Sequence, residues 1–160
     1  MKKSPKQRQT APLLPIPVEA PFEKVSCDIS GPWPVTHNKN RYILVFVDMC
    51  TKWTEAFAIP NIEAKTVAEI FVNEIVSRHG APRVLLSDCG SNFLSSLFRE
   101  VCFLMNTDKI FTRGSGPQAN GLVERFNGTL AQSLSMHVSS SQKDWDEHLK
   151  SVLFAYRVSR

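Results

Sequence analysis

Apolar and polar positions change rhythm several times along this chain, and each change marks an element. "KVSCDIS" alternates, with Val25, Cys27 and Ile29 pointing one way and Ser26 and Asp28 the other, which predicts a strand. "GPWP" breaks it. "RYILVFVDM" is nearly continuous apolar and β-branched sequence, as expected of an interior strand. "WTEAFAIP" follows after a turn at Cys50–Lys52 and is placed antiparallel to it. "EAKTVAEIFVNEIVSRHG" then takes the helical period, through Val67, Ile70, Phe71, Ile75 and Arg78, and ends at Gly80 and Pro82. "RVLLSD" predicts a short buried strand, "SLFREVCFLM" a second helix and "TDKIFT" another short strand. Past the glycine-rich "RGSG" come two more helices, in "PQANGLVERFNGTL" and "KDWDEHLKSVLFAYRV". Three strands, helix, strand, helix, strand and two helices make a mixed sheet with helices packed on it, an α/β layered domain.

Composition changes this picture mainly at the N-terminus. Hydrophobic residues form 42% and charged residues 21% of the 160, which suits one globular domain with a real core. No apolar run reaches the length of a membrane span, so no membrane partner is expected. Residues 1–21 are rich in proline and polar groups and read as a linker or arm, leaving 22–160 as the domain. Lys2, Lys3, Lys6 and Arg8 account for the net charge of +4, and the other charges balance. A basic arm favours phosphate contact, though a solvated terminus explains it equally well. Cys27, Cys50, Cys89 and Cys102 include no C-x-x-C pair and no histidine cluster, which argues against structural zinc and for small packed side chains in a reducing compartment.

Three carboxylates carry the candidate chemistry. In the helix after "RGSG", Leu122, Phe126, Leu130 and Leu134 form an apolar stripe with Val123 at its edge. Glu124 lies off that stripe, beside Asn120, Asn127, Gly128 and Ala131. Alone, it reads as a solvated helix position. Asp28 alone reads as a strand aspartate accepting a loop hydrogen bond, and Asp88 as the first residue of a D-x-G turn. Together they say more. Asp88 ends a sheet strand, where ligands bind in open α/β domains, and 35 residues separate it from Glu124.

With this D, D-35-E arrangement the chain resembles the catalytic core of retroviral and long-terminal-repeat retrotransposon integrases, in particular the Ty3/Gypsy type. "CDISGPWP", "YILVFVDMCTKWTEAFAIP", "RHGAPRVLLSDCGSNF", "PQANGLVERFNGTL" and "FAYR" match that family's pattern in order, from about Pro17 onward. The resemblance implies a ribonuclease-H-like fold with a mixed five-stranded sheet flanked by helices. It implies that Asp28, Asp88 and Glu124 are catalytic and hold two Mg²⁺ or Mn²⁺ ions. Hard divalent cations suit carboxylate oxygens, and two of them can activate an attacking oxygen and stabilise a leaving one. The implied reactions are 3′-end processing and strand transfer on double-stranded DNA, both element ends and target, by a homo-oligomer that is intracellular and acts in the nucleus.

Asn92, Gln118, Asn120 and Asn127 are candidate DNA contacts, and each has equally the chemistry to tie a loop. Asp48, Trp33 and Trp53 are expected to be structural. The family pattern carries arginine or asparagine where Cys89 stands, and Tyr-His where Ser115-Gly116 stand, in the segment expected to position DNA. Its N-terminal zinc module and C-terminal DNA-binding region have no counterpart in this sequence. A catalytically weak integrase remnant that binds nucleic acid or protein is therefore the alternative to an active core. A ribonuclease-H-type nuclease shares the fold, but the "ERFN" helix follows the integrase pattern.

Overall fold

Five strands form a single sheet in the order β3-β2-β1-β4-β5, in a computed structural model that describes residues 20–111, 117–137 and 140–159. The side chains of Leu94, of 117–120 and of His137 lie outside that description, as do the arm at 1–19 and the "RGSG" loop. Strands β1 (Lys24–Ser30), β2 (Tyr42–Asp48) and β3 (Thr54–Ile59) make an antiparallel meander. Strands β4 (Val84–Ser87) and β5 (Asp108–Phe111) add on the other side of β1, both parallel.

Helices cover both faces, and this explains why β2 reads as an unbroken apolar run. On one face Val25, Cys27, Leu44, Phe46 and Leu85 meet Val67, Phe71 and Ile75 from one helical segment and Phe93, Phe98 and Cys102 from another. On the other face Ile43, Val45 and Val47 meet Val123, Phe126, Leu130 and Leu134 of α5 (Pro117–His137) and Trp145, Leu149, Val152 and Leu153 of α6 (Trp145–Val158). Each buried Val, Leu, Ile or Phe among them contributes roughly 1.5–3 kcal/mol by leaving water. Ser26 is 2% exposed for the same reason: the face of β1 that reads as polar lies under α5 rather than in solvent.

Two helices differ in detail from the periodic reading. The segment after β3 begins as α1 (Ala64–Ile70), passes through a π-helical stretch at Phe71–Val76, and finishes as α2 (Ser77–His79). Its wider turn still lets Phe71 and Ile75 face the sheet, fully buried. In α5 the buried stripe is Val123, Phe126, Leu130 and Leu134, while Leu122 is only partly covered and packs at the side on Met49, Val84 and Leu86. The helix is thus turned by about one position from the stripe centred on Leu122. A single-turn α3 (Ser91–Leu94) precedes α4 (Ser96–Leu104), whose first turn is capped by Ser95 accepting from the Phe98 amide at 3.2 Å.

Asp48 is structural, as expected. It is fully buried, and its carboxylate accepts from the amides of Phe22, Cys50 and Thr51 and from the Thr51 hydroxyl, closing the β2–β3 turn. Trp33 packs against Trp145. Trp53 is structural too, though not in the core: it is 41% exposed, lies under the Arg157 guanidinium, 4.0 Å from the ring centre, and its indole donates to Glu55 Oε1 at 3.4 Å. Cys50 is likewise exposed in the turn, whereas Cys27 and Cys102 are buried.

Candidate active site

The register of the parallel pair explains how two distant aspartates meet. Ser26 pairs with Leu86, so two residues further along, on the same face of each strand, stand Asp28 and Asp88. That face is the one α5 covers, and α5 carries Glu124. Asp28, Asp88 and Glu124 accordingly line one cleft of about 140 Å³, together with Ser26, Cys27 and Val123. A larger cavity of about 470 Å³ between α5 and α6 is lined by hydroxyls and His148 and contains no carboxylate. It is remote from this chemistry.

Each carboxylate is held differently. Asp28 is half-buried, and its Oδ2 accepts from Asn127 Nδ2 at 3.2 Å. Burial pushes its pKa above the usual carboxylate range, and the nearby Asp88 and Glu124 add to the rise; a backbone hydrogen bond at Ile29 and the Asn127 amide act against it. Asp88 is exposed, and its Oδ1 accepts from the Gly90 amide at 3.0 Å. A Cβ on Gly90 would stand 2.7 Å from Asn92 Oδ1 and 3.1 Å from Asp88 Oδ1, so a larger residue here would displace those two side chains. Glu124 is exposed at the cleft edge.

Among the described residues, no group of three His, Cys, Asp or Glu side chains is drawn together tightly enough to hold a metal ion. The three carboxylates therefore share a cleft without closing to a common ligand distance. The donor set nonetheless fits a hard cation. Its oxygens are carboxylate, and Asn127 Oδ1 beside them is buried with no hydrogen-bond partner among the described residues.

Of the candidate DNA contacts, Asn127 is turned inward to Asp28 rather than outward. Asn92 is half-buried in α3, where its carbonyl accepts from the Ser95 hydroxyl. Gln118 and Asn120 have side chains outside the described residues. Ser26 and Val123 were not singled out by sequence, although Ser26 shares a strand face with Asp28. The sequence placed Asn127 beside Glu124 on one helix face, but read it as a DNA contact and not as a partner of Asp28.

A family model described as "Integrase core domain" matches residues 18–115. The chain belongs to the integrase core domain family. The matched stretch includes Asp28 and Asp88 and stops short of Glu124. The chain is similar to a retrovirus-related Pol polyprotein from transposon 412 of Drosophila melanogaster, with 27% identity over 142 residues, 89% of this chain and 12% of the polyprotein. It is 28% identical over 142 residues to Gypsy retrotransposon integrase-like protein 1 of Bos taurus, covering 89% of this chain and 28% of that protein. It is 35% identical over 118 residues to the Gag-Pol polyprotein of Feline leukemia virus, covering 73% of this chain and 7% of that protein. The chain thus spans a minor part of these curated relatives.

Solved structures show the same fold. The catalytic core domain of BIV integrase superposes with a TM-score of 0.68 at 22% identity, covering 87% of this chain and 86% of that one. The HTLV-2 integrase catalytic core domain in complex with magnesium gives 0.64 at 20% identity, covering 84% of each. The fold is ribonuclease-H-like. Among the described residues no helix is long and apolar enough to cross a membrane.

Proposed function

We propose that this chain is the catalytic core of an integrase and performs metal-dependent phosphoryl transfer on DNA, in 3′-end processing and strand transfer. The observation that carries the reading is the convergence of Asp28, Asp88 and Glu124 on one cleft, from a strand, a strand end and a helix. Those three residues are the proposed catalytic groups and would hold two Mg²⁺ or Mn²⁺ ions. When bound, such ions supply Lewis-acid activation of the attacking oxygen and stabilisation of the leaving one. The chain's own contribution is positional. Asn127 orients the Asp28 carboxylate, the Gly90 turn presents Asp88, and the buried stripe of α5 fixes the height of Glu124 over the sheet.

Double-stranded DNA is the proposed partner, a homo-oligomer the proposed state, and the nucleus the proposed place of action. Residues 22–160 form the proposed core domain, with 1–21 as an arm. An integrase-derived binding module is the second reading. It is favoured by the carboxylates not being gathered to ligand distance. The experiment that separates the two is nicking and joining of a labelled duplex with Mn²⁺, beside Glu124→Gln. An active core should lose about 100-fold or more in rate on that substitution. Equal traces of product from both proteins would leave the binding module as the function.

A further inference from the structure

Lys109 lies on the edge strand β5 and is half-buried, yet it forms no ion pair with an Asp or Glu among the described residues. Its ammonium instead donates to the Ser87 hydroxyl and to the Ile110 carbonyl at 3.2 Å. It stands 4.3 Å from the centre of the Phe111 ring and 5.6 Å from that of Phe93. Drawing an ammonium out of water is costly, and an apolar side chain between those rings would avoid that cost. Core packing alone therefore does not account for a lysine here.

The hydrogen bond to Ser87 does. Ser87 is 1% exposed and closes β4, and its Oγ, while accepting from Lys109, donates to the Asp88 carbonyl at 2.9 Å. Bonds in such a chain polarise and strengthen one another. On its other side the same residue is pinned by the Gly90 amide at its carboxylate. Asp88 is thus held at two points, its peptide through Ser87 and its side chain through Gly90. Burial lowers the Lys109 pKa, and Cys27, Cys102 and, more weakly, Asp88 act against that.

We infer that Lys109 is a positioning residue, which through the Ser87 hydroxyl fixes the peptide that carries Asp88 and so sets where that carboxylate stands in the cleft. The inference rests on the proposed role of Asp88. It also opposes what simple charge would do. A cation near a metal site repels metal, so loss of Lys109 through charge alone would tighten metal binding; loss through positioning would weaken it. Ser87→Ala separates the two, because it cuts the relay and keeps the ammonium.

The test is a Mn²⁺ titration of the whole chain followed by its melting temperature, with Asp28→Asn as the control for the site. Ser87→Ala and Lys109→Met should each raise the apparent Kd for Mn²⁺ by about tenfold, the lower end of what loss of a supporting partner costs a metal site. The double variant should be little worse than the worse single one. Ser87→Thr, which keeps the hydroxyl, should restore binding. An unchanged Kd in Ser87→Ala with tighter binding in Lys109→Met would overturn the inference while leaving the site reading intact. If the unaltered chain shows no Mn²⁺ shift, the site reading fails instead. Amide hydrogen exchange at Gly90 then decides the positioning role: faster exchange in both variants supports it, and an unchanged rate in both overturns it.

Discussion

Two carboxylates on one sheet live in opposite surroundings. Glu55 on β3 is buried, with its side chain 5% exposed, and is met by cations. Arg78 grips it with both guanidinium nitrogens, at 2.7 and 2.6 Å, and Arg157 lies 3.7 Å away. His79 Nε2 is 3.4 Å from it, without hydrogen-bonding geometry. Asp28, two strands across, has two other acids for neighbours and an asparagine amide for support. Glu55 ties α2 and α6 to the sheet. Asp28 accepts a less favourable electrostatic setting, and that is where chemistry is to be sought. A buried charge with its partners present is architecture; the half-buried Asp28, facing others of its own sign, is the place to test for cation binding.

The largest test of this contrast is removal of each group. Glu55→Ala leaves Arg78 and Arg157 facing a buried gap and should cost about 3 kcal/mol, the low end for a broken buried pair because Arg78 is half exposed. Urea unfolding measures it. Asp28→Asn should not destabilise at all in metal-free buffer. If the two substitutions cost the same, the distinction drawn between these residues is lost.

Metal comes next. Mg²⁺ or Mn²⁺ at about a hundred times its Kd should stabilise the chain by about 2.7 kcal/mol, since only the folded chain brings the three carboxylates to one cleft. Asp88→Asn should abolish most of that gain, and Glu55→Ala should leave it in place. A full melting shift in Asp88→Asn would put the ion elsewhere.

The smallest effect is on pH. The folded state raises the Asp28 pKa, so it binds that proton more tightly than the unfolded chain does. The penalty is absent below the unfolded pKa and complete above the folded one, so stability falls as pH rises through that window. Comparing melts of the chain and Asp28→Asn in chelator isolates this slope. A difference that shrinks as pH rises would reverse the sign argued here.

Much of the scaffold was legible because burial leaves a period. The unbroken run of β2 belongs to a strand with helices on both faces, and the spacing of Asp88 and Glu124 survives as a shared cleft. What was not legible depended on partners far away in sequence. Glu55 looks like an ordinary polar position in an alternating strand, and only the folded chain brings Arg78 and Arg157 to it. Lys109 reads as one basic residue in a short strand, with nothing nearby to announce Ser87. The π-helical stretch escapes because its register shift still places Phe71 and Ile75 inward. Leu122 and Val123 are adjacent apolar residues, and the period alone does not say which one lies centrally.

The parallel pairing of β1 with β4 has a consequence for folding. The β1–β2–β3 meander joins neighbours along the chain, but β1 and β4 are brought together across the entire segment that includes α1 and α2. Closing so long a loop is entropically costly before its contacts form, and such non-local pairing slows folding. The cleft needs that closure and also the docking of α5. No partly folded form lacking either can gather the three acids. Under the proposed function, DNA cutting would therefore report on completion of the fold, and a nascent or locally opened molecule would not cut.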